Sequence, residues 1–229
     1  MFKSSVTDVF FDLDHTLWDF EKNSRLTFIK IFETNGIDQD IDDFLTVYVP
    51  LNLQYWKLYR EERITKKALR YERLRKAFDA ISYEVDDQTI QLLSEQYIES
   101  LSSFNHLIPN TREVLDYLKP TYRLHIITNG FKEIQEKKLK GSKIYDYFDQ
   151  VVNSEMAGVK KPNPGIFKLA LKMANTEAGR SLMIGDNIEA DILGARAAGL
   201  KTLHFNAHNE PVHDYSNVIH DLGEIKSYL

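Results

Sequence analysis

The chain has 229 residues, 43% hydrophobic and 28% charged, with no cysteine and a formal net charge of −5 at pH 7. That length bounds it to one or two domains, and the missing cysteine excludes a disulfide scaffold, a thiolate metal site and a Cys nucleophile. The acidic balance argues against a binder of nucleic acid polymers, which needs a basic footprint. No apolar run approaches the roughly 20 residues that cross a bilayer, so no membrane partner is expected and the cytoplasm is the default compartment. In chain order, Asp8–Leu13 (DVFFDL) is a short run of β-formers ending in acids, the pattern of a buried strand. From Trp18 to Phe104 no strand pattern occurs and apolar residues recur every three or four positions. Leu26, Ile29 and Phe32, then Phe44, Tyr48, Leu51, Tyr55 and Leu58, then Tyr71, Leu74 and Phe78, then Ile90, Leu93, Tyr97, Leu101 and Phe104 predict four helices. Pro50 is expected to interrupt and kink the second of them.

Beyond the insert, strands and helices alternate. Helix Thr111–Lys119 leads to strand Arg123–Thr128, and helix Phe131–Lys140 is expected to end with Gly141 at C′. Strand Gln150–Ser154 is followed by helix Asn163–Ala174, opened by an Asn-Pro cap. Strand Ser181–Gly185, helix Glu189–Ala198 closed by Gly199, and strand Lys201–Phe205 complete the series. Such alternation predicts an α/β fold, a doubly wound and mostly parallel sheet. Residues 1–17 and 105–229 would form this discontinuous core, and 18–104 an inserted helical-bundle cap. In open parallel sheets, ligands bind at the carboxyl ends of the strands.

Those strand ends are rich in chemistry. The first gives Asp12-Leu13-Asp14, two acids directly after an apolar strand, where an unpaired carboxylate is costly without a cation or a chemical role. The same spacing at Asp38, Asp40 and Asp42 lies in a polar segment, where helix capping explains it. The strand ending at Thr128 continues into Asn129-Gly130 before a helix, a hydroxyl and backbone N–H groups suited to an anion. Lys161 stands directly before Pro162 in a proline-bound loop, and strand Ser181–Gly185 ends in Gly185-Asp186, with Asp191 five residues on. Taken singly, each element also has an ordinary reading as turn, cap or solvated side chain. Together, the three carboxylates of Asp12, Asp14 and Asp186, without His or Cys, suit Mg²⁺, and the neighbouring donors suit phosphoryl oxygens.

FDLDHTL, ITNG, VKKPNPGIF and MIGDNIEADI, in this order, resemble the four motifs of the haloacid dehalogenase-like hydrolase superfamily, and the insert is similar to its C1 cap. More narrowly, FDLDHTLWDFE, ITNGF, YDYFD, KPNPGIF, GDNIEADILGA, AGLKT and FNAH resemble its pyrimidine 5′-nucleotidase branch, small house-cleaning nucleoside monophosphatases. The resemblance implies a Rossmann-like core and a Mg²⁺-dependent phosphomonoesterase working through an aspartyl-phosphate. It implies that Asp12 is the nucleophile and Asp14 the general acid and base, and that Asp12, the Asp14 carbonyl and Asp186 hold the metal. Thr128, Asn129, Gly130 and Lys161 would bind the phosphoryl group, with Asp191 orienting Lys161 or the metal's water shell. Trp18, Asn52 and Trp56 are the candidates for substrate specificity.

The expected partner is a small phosphorylated metabolite, a nucleotide above others, and the protein a monomer or homodimer. A sugar-phosphate phosphatase or phosphotransferase shares all four motifs and differs in the cap. The 2-haloacid dehalogenases lack the second acid, so Asp14 favours phosphate chemistry. A phospho-accepting signalling switch also combines acids, Thr and Lys on such a sheet, but its acceptor acid sits on a later strand, where this chain offers Thr128, and no long insert is expected.

Overall fold

A computed structural model describes residues 2–211 and 213–229, and the chain forms two compact units, Met1–Phe20 with Asn105–Leu229, and Glu21–Phe104. The first contains strands β1 Asp8–Phe11, β2 Arg123–Thr128, β3 Gln150–Asn153, β4 Ser181–Gly185, β5 Lys201–Phe205 and β6 Asn217–Ile219. They make one six-stranded sheet in the order β3-β2-β1-β4-β5-β6, parallel at every pairing. The expected α/β class and parallel sheet are thus observed, with β6 added at one edge. Three residues, Asn217-Val218-Ile219, are too few to carry a readable alternation.

Parallel strands need crossover helices, and those helices cover the faces. Phe10, Ile127, Val152 and Met183 of the sheet pack with Ile166, Phe167 and Ala170 of helix Pro164–Ala174, all buried. Full burial of each large side chain contributes about 1.5–3 kcal/mol. That helix opens as its sequence suggests, with the Asn163 side chain accepting the Gly165 N–H and Pro164 in the first turn. Two helix ends differ from expectation. Gly141 lies inside helix Lys132–Gly141 because a side chain there would meet Asn105, and Lys143 instead takes the left-handed conformation at φ 55°. The segment expected as one helix from Glu189 is a π-type turn, Ile188–Leu193, running into a short α-helix, Gly194–Ala197.

The second unit holds helices Ile41–Arg60, Lys66–Ala80, Asp87–Leu101 and most of Phe20–Asn35. Asp40, Thr65 and Asp86 cap the first three through side-chain oxygens. The helix expected to break at Pro50 is continuous from Ile41 to Arg60. Its core is aromatic, with Phe28 4.9 Å from Phe44 and 4.6 Å from Tyr48 between ring centroids. Among the described residues no helix is long and apolar enough to cross a membrane.

At the amino end of the sheet, far along β1 from the acid pair, Asp8 is fully buried. Its carboxylate accepts hydrogen bonds from Thr7 and Thr176, each at 2.7 Å, from His125 at 3.0 Å, and an ion pair from Arg123 at 2.9 Å. Burial pushes this carboxyl up, but those donors outweigh it and hold it below the usual carboxylate range. Such a group stabilises the fold fully above its ordinary pKa and loses that contribution as pH falls through the lowered native one. Asp8→Ala is expected to cost about 3 kcal/mol at neutral pH, since it strips a buried charge from its partners. Urea unfolding at pH 7 and near pH 3 checks this: the gap between wild type and variant narrows at the acid end.

Candidate active site

Strand order reverses on either side of β1, whose neighbours β2 and β4 belong to opposite halves of the sheet. The crevice outside the carboxyl ends at such a switch point is where doubly wound folds bind ligands. Asp12 follows β1 directly, its N–H donating to Ile184 O at 2.9 Å. Thr128 ends β2, and Asp186 follows β4.

Lys161 organises this crevice. Its ammonium donates to Ile127 O at 2.8 Å and lies 2.8 Å from Asp12 Oδ1 and 2.6 Å from Asp191 Oδ1, so its three protons face three acceptors. Asn129 fixes the loop that delivers it: Asn129 Oδ1 accepts the Lys161 N–H at 2.7 Å, and Asn129 Nδ2 donates to Lys161 O at 3.0 Å. The Asn129 side chain is therefore spent on placing Lys161. Gly185 is equally constrained, since a Cβ there would lie 2.3 Å from Asp191 Oδ2. Only a bare backbone lets Asp191, tethered by the Asn187 N–H at 3.0 Å, fold back over the end of β4.

Asp12, Asp186 and Asp191 each offer a carboxylate oxygen, all within 4.8 Å of one another. Burial drives the Asp12 carboxyl well above the usual range; the Lys161 ammonium opposes that rise, and Asp191 and Asp186 add to it. Burial raises Asp191 too, against Lys161, with Asp186 adding to the rise. Burial also works against the Lys161 ammonium, but Asp12 and Asp191 outweigh it and hold the amine above its ordinary value. Asp186 is held low despite burial, by the His208 ring, the nearby His15 and the Thr16 hydroxyl, whose Oγ1 donates to it at 2.9 Å. Three acids face one ammonium in a poorly solvated site and are short of positive charge. Hard oxygen donors and that shortfall fit a divalent cation such as Mg²⁺. The side chains differ in access: Asp12 is 14% exposed, Asp186 9% and Asp191 0%.

Asp14 points elsewhere. Lys138 Nζ lies 2.5 Å from its Oδ1, and Gln135 Nε2 donates to its Oδ2 at 3.0 Å. The same Gln135 amide donates to Thr128 Oγ1 at 2.7 Å, which also accepts the Gly130 N–H at 3.0 Å. Both bonds arrive at the Thr128 oxygen, leaving its own proton to donate. Of the specificity candidates, Trp18 is fully buried in the α/β unit, paired through its backbone with Asp14 and Leu107. Asn52 is buried in the helical unit, its Oδ1 accepting from Arg73 at 2.8 Å, and Trp56 is partly exposed beside Tyr59.

Sequence reasoning passed over Gln135, Lys138, Thr16, His204 and His208. His204 Nε2 donates to Asp186 O at 2.9 Å, and His208 Nε2 lies 3.6 Å from Asp186 Oδ2. A signal existed for the helix pair: Gln135 and Lys138 are three apart, in phase with the apolar residues Ile134 and Leu139. The run of Lys137, Lys138 and Lys140 hides it, because only helical phase tells which lysine turns inward.

A family model described as haloacid dehalogenase-like hydrolase matches residues 9–199. The chain is 34% identical over 202 residues to the pyrimidine 5′-nucleotidase YjjG of Escherichia coli, covering 88% of this chain and 86% of that one. It is 30% identical over 221 residues to the pyrimidine 5′-nucleotidase PynA of Streptococcus pneumoniae, covering 96% and 92%. The crystal structure of YfnB from Bacillus subtilis, bound to magnesium, superposes with a TM-score of 0.89 at 27% identity over 98% of both chains. Lys161→Met removes the ammonium and leaves the acids to repel. In the presence of chelator this is expected to lower the unfolding free energy by about 3–5 kcal/mol at neutral pH, with a smaller loss at pH 5 as the carboxyls protonate. Denaturant titrations at the two pH values check it.

Proposed function

The chain belongs to the haloacid dehalogenase-like hydrolases, and on that premise we propose that it is a Mg²⁺-dependent phosphatase of nucleoside 5′-monophosphates, pyrimidine nucleotides foremost. The observation that carries this reading is the buried cluster at the switch point: three acids and one lysine, of which Asp12 has the most exposed side chain. Asp12 is the nucleophile. Its carboxylate attacks phosphorus, the ester oxygen of the nucleoside leaves, and an aspartyl-phosphate forms. Asp14, outside the cluster but on the same turn, gives the leaving oxygen its proton and then takes one from the water that attacks the phosphoenzyme. The bond to Asp12 breaks in that second step, releasing inorganic phosphate and restoring the carboxylate.

Asp12 and Asp186, with the Asp14 main-chain carbonyl, are the residues that would hold the ion, which would supply positive charge for the phosphoryl oxygens. The positive charge of Lys161 and the Thr128 hydroxyl proton draw in those oxygens, with the Asn129 N–H beside them, whereas the Gly130 N–H is taken by the Thr128 oxygen and shapes the turn. Asp191 keeps Lys161 charged and oriented, since their pairing at 2.6 Å is buried. The helical unit Glu21–Phe104, in place of the 18–104 expected from the sequence, is the part assigned to substrate selection. Within it the partly exposed Trp56 is the residue assigned to stacking on a base, whereas Asn52 acts through its bond to Arg73. The relatives named for pyrimidine nucleotides support the substrate class.

Phosphate release from UMP, dTMP, AMP and glucose 6-phosphate, with Mg²⁺ and with chelator, tests the proposal. UMP and dTMP are expected to be turned over fastest, and chelation to abolish turnover of all four. Activity that survives full chelation contradicts the site, and a preference for glucose 6-phosphate contradicts the substrate class. Asp12→Asn is expected to remove turnover altogether, and Asp14→Asn to lower kcat on UMP by about 10²–10⁴-fold.

A further inference from the structure

We propose that Lys138 and Gln135 are positioning residues that fix the carboxylate of Asp14 over the leaving group, resting on the role given above to Asp14 as proton donor. Helix Lys132–Gly141 contributes both, on the face that also buries Ile134 and Leu139. Each takes one oxygen of the same carboxylate, Lys138 at 2.5 Å on Oδ1 and Gln135 at 3.0 Å on Oδ2. Two donors on two oxygens set both the rotamer and the plane of the group, which one donor does not.

Lys138 is an unusual tether. Its side chain is 3% exposed, whereas that of Asp14 is 21% exposed. The ammonium also lies over the faces of Trp18 at 4.2 Å and Phe20 at 5.3 Å to the ring centroids. A buried ion pair contributes little net stability against an apolar pair of similar volume, so stability alone does not explain a lysine here. The aromatic platform gives buried Trp18 a task, confining the ammonium to the side of Asp14 away from solvent.

Gln135 ties the acid to the phosphate seat. Its Nε2 reaches Asp14 and, at 2.7 Å, the Thr128 hydroxyl. Gly130 makes room for it, since a Cβ there would fall 1.8 Å from that nitrogen. One amide therefore sets the distance between the group that holds the phosphoryl oxygens and the group that protonates the ester oxygen. Proton transfer demands hydrogen-bond reach, and small displacements of a correctly typed group cost large factors in rate.

The test separates esters by their need for an acid. UMP loses an alkoxide that requires a proton, whereas p-nitrophenyl phosphate loses a phenolate that does not. Single-turnover rates of UMP cleavage and burst rates of p-nitrophenolate release are measured for wild type, Lys138→Met, Lys138→Gln and Asp14→Asn. Lys138→Met is expected to slow UMP cleavage by about 10–100-fold with KM nearly unchanged, to leave the nitrophenolate burst within a few-fold of wild type, and to add little on an Asp14→Asn background. Lys138→Gln, which keeps a donor without the charge, carries the same expectation at smaller size should the Met variant fail to fold. Equal losses on both esters, or no loss on UMP, overturn the proposal. Equal losses on both esters in Asp14→Asn itself overturn the proton-donor reading instead, so the two failures are distinguishable.

Discussion

Everything at the carboxyl edge of the sheet follows from one interaction, the buried ammonium of Lys161 set between Asp12 at 2.8 Å and Asp191 at 2.6 Å. Three acids cannot be gathered in a poorly solvated crevice without positive charge, because each raises the cost of ionising the others. Lys161 meets part of that demand, and a divalent ion fits what remains. Features that look unrelated in the chain serve this pairing. Asn129 clamps the backbone of Lys161, the main-chain carbonyl of Ile127 takes its third proton, and Gly185 clears space for Asp191. Parallel strands on both sides of β1 bring these pieces to one edge, although Asp12 and Asp186 are far apart in the chain.

A second charge pair, Asp14 with Lys138, stands beside the first and is kept apart from it. Asp12 draws its compensation from Lys161 and the cluster, Asp14 from a different helix. Two carboxylates from one short turn thus have separate partners. Gln135, bonded to both Asp14 and Thr128, is the link between these neighbourhoods.

Much of this was legible in the sequence where local pattern dictates the outcome. Strands Arg123–Thr128, Ser181–Gly185 and Lys201–Phe205 are bounded by turn signals and observed with the ends expected for them, and Asn163-Pro164 opens its helix as a cap should. Asp12, Thr128 and Asp186 stand at or directly after strand ends, where the apolar runs stop, whereas Lys161 and Asp191 lie in later turns that the fold brings to them. What stayed hidden depends on tertiary neighbours. Gly141 reads as the residue after a helix, yet it is the last residue within it, packed against the side chain of Asn105, remote in the chain. Pro50 reads as a break, yet helix Ile41–Arg60 runs through it. The inward turn of Lys138 among several lysines, the pairing of Asn52 with Arg73 and the burial of Trp18 are likewise set by packing that no local pattern encodes.

The central claim is that the Asp12 carboxylate takes the phosphoryl group. The most direct measurement is acid quenching of the Asp14→Asn variant after mixing with p-nitrophenyl phosphate and Mg²⁺, followed by peptide mapping of bound phosphate. An acyl phosphate on the peptide that carries Asp12, absent from the Asp12→Asn, Asp14→Asn double variant, is the result expected. Phosphate carried on any other residue, or a label that persists in the double variant, would contradict it.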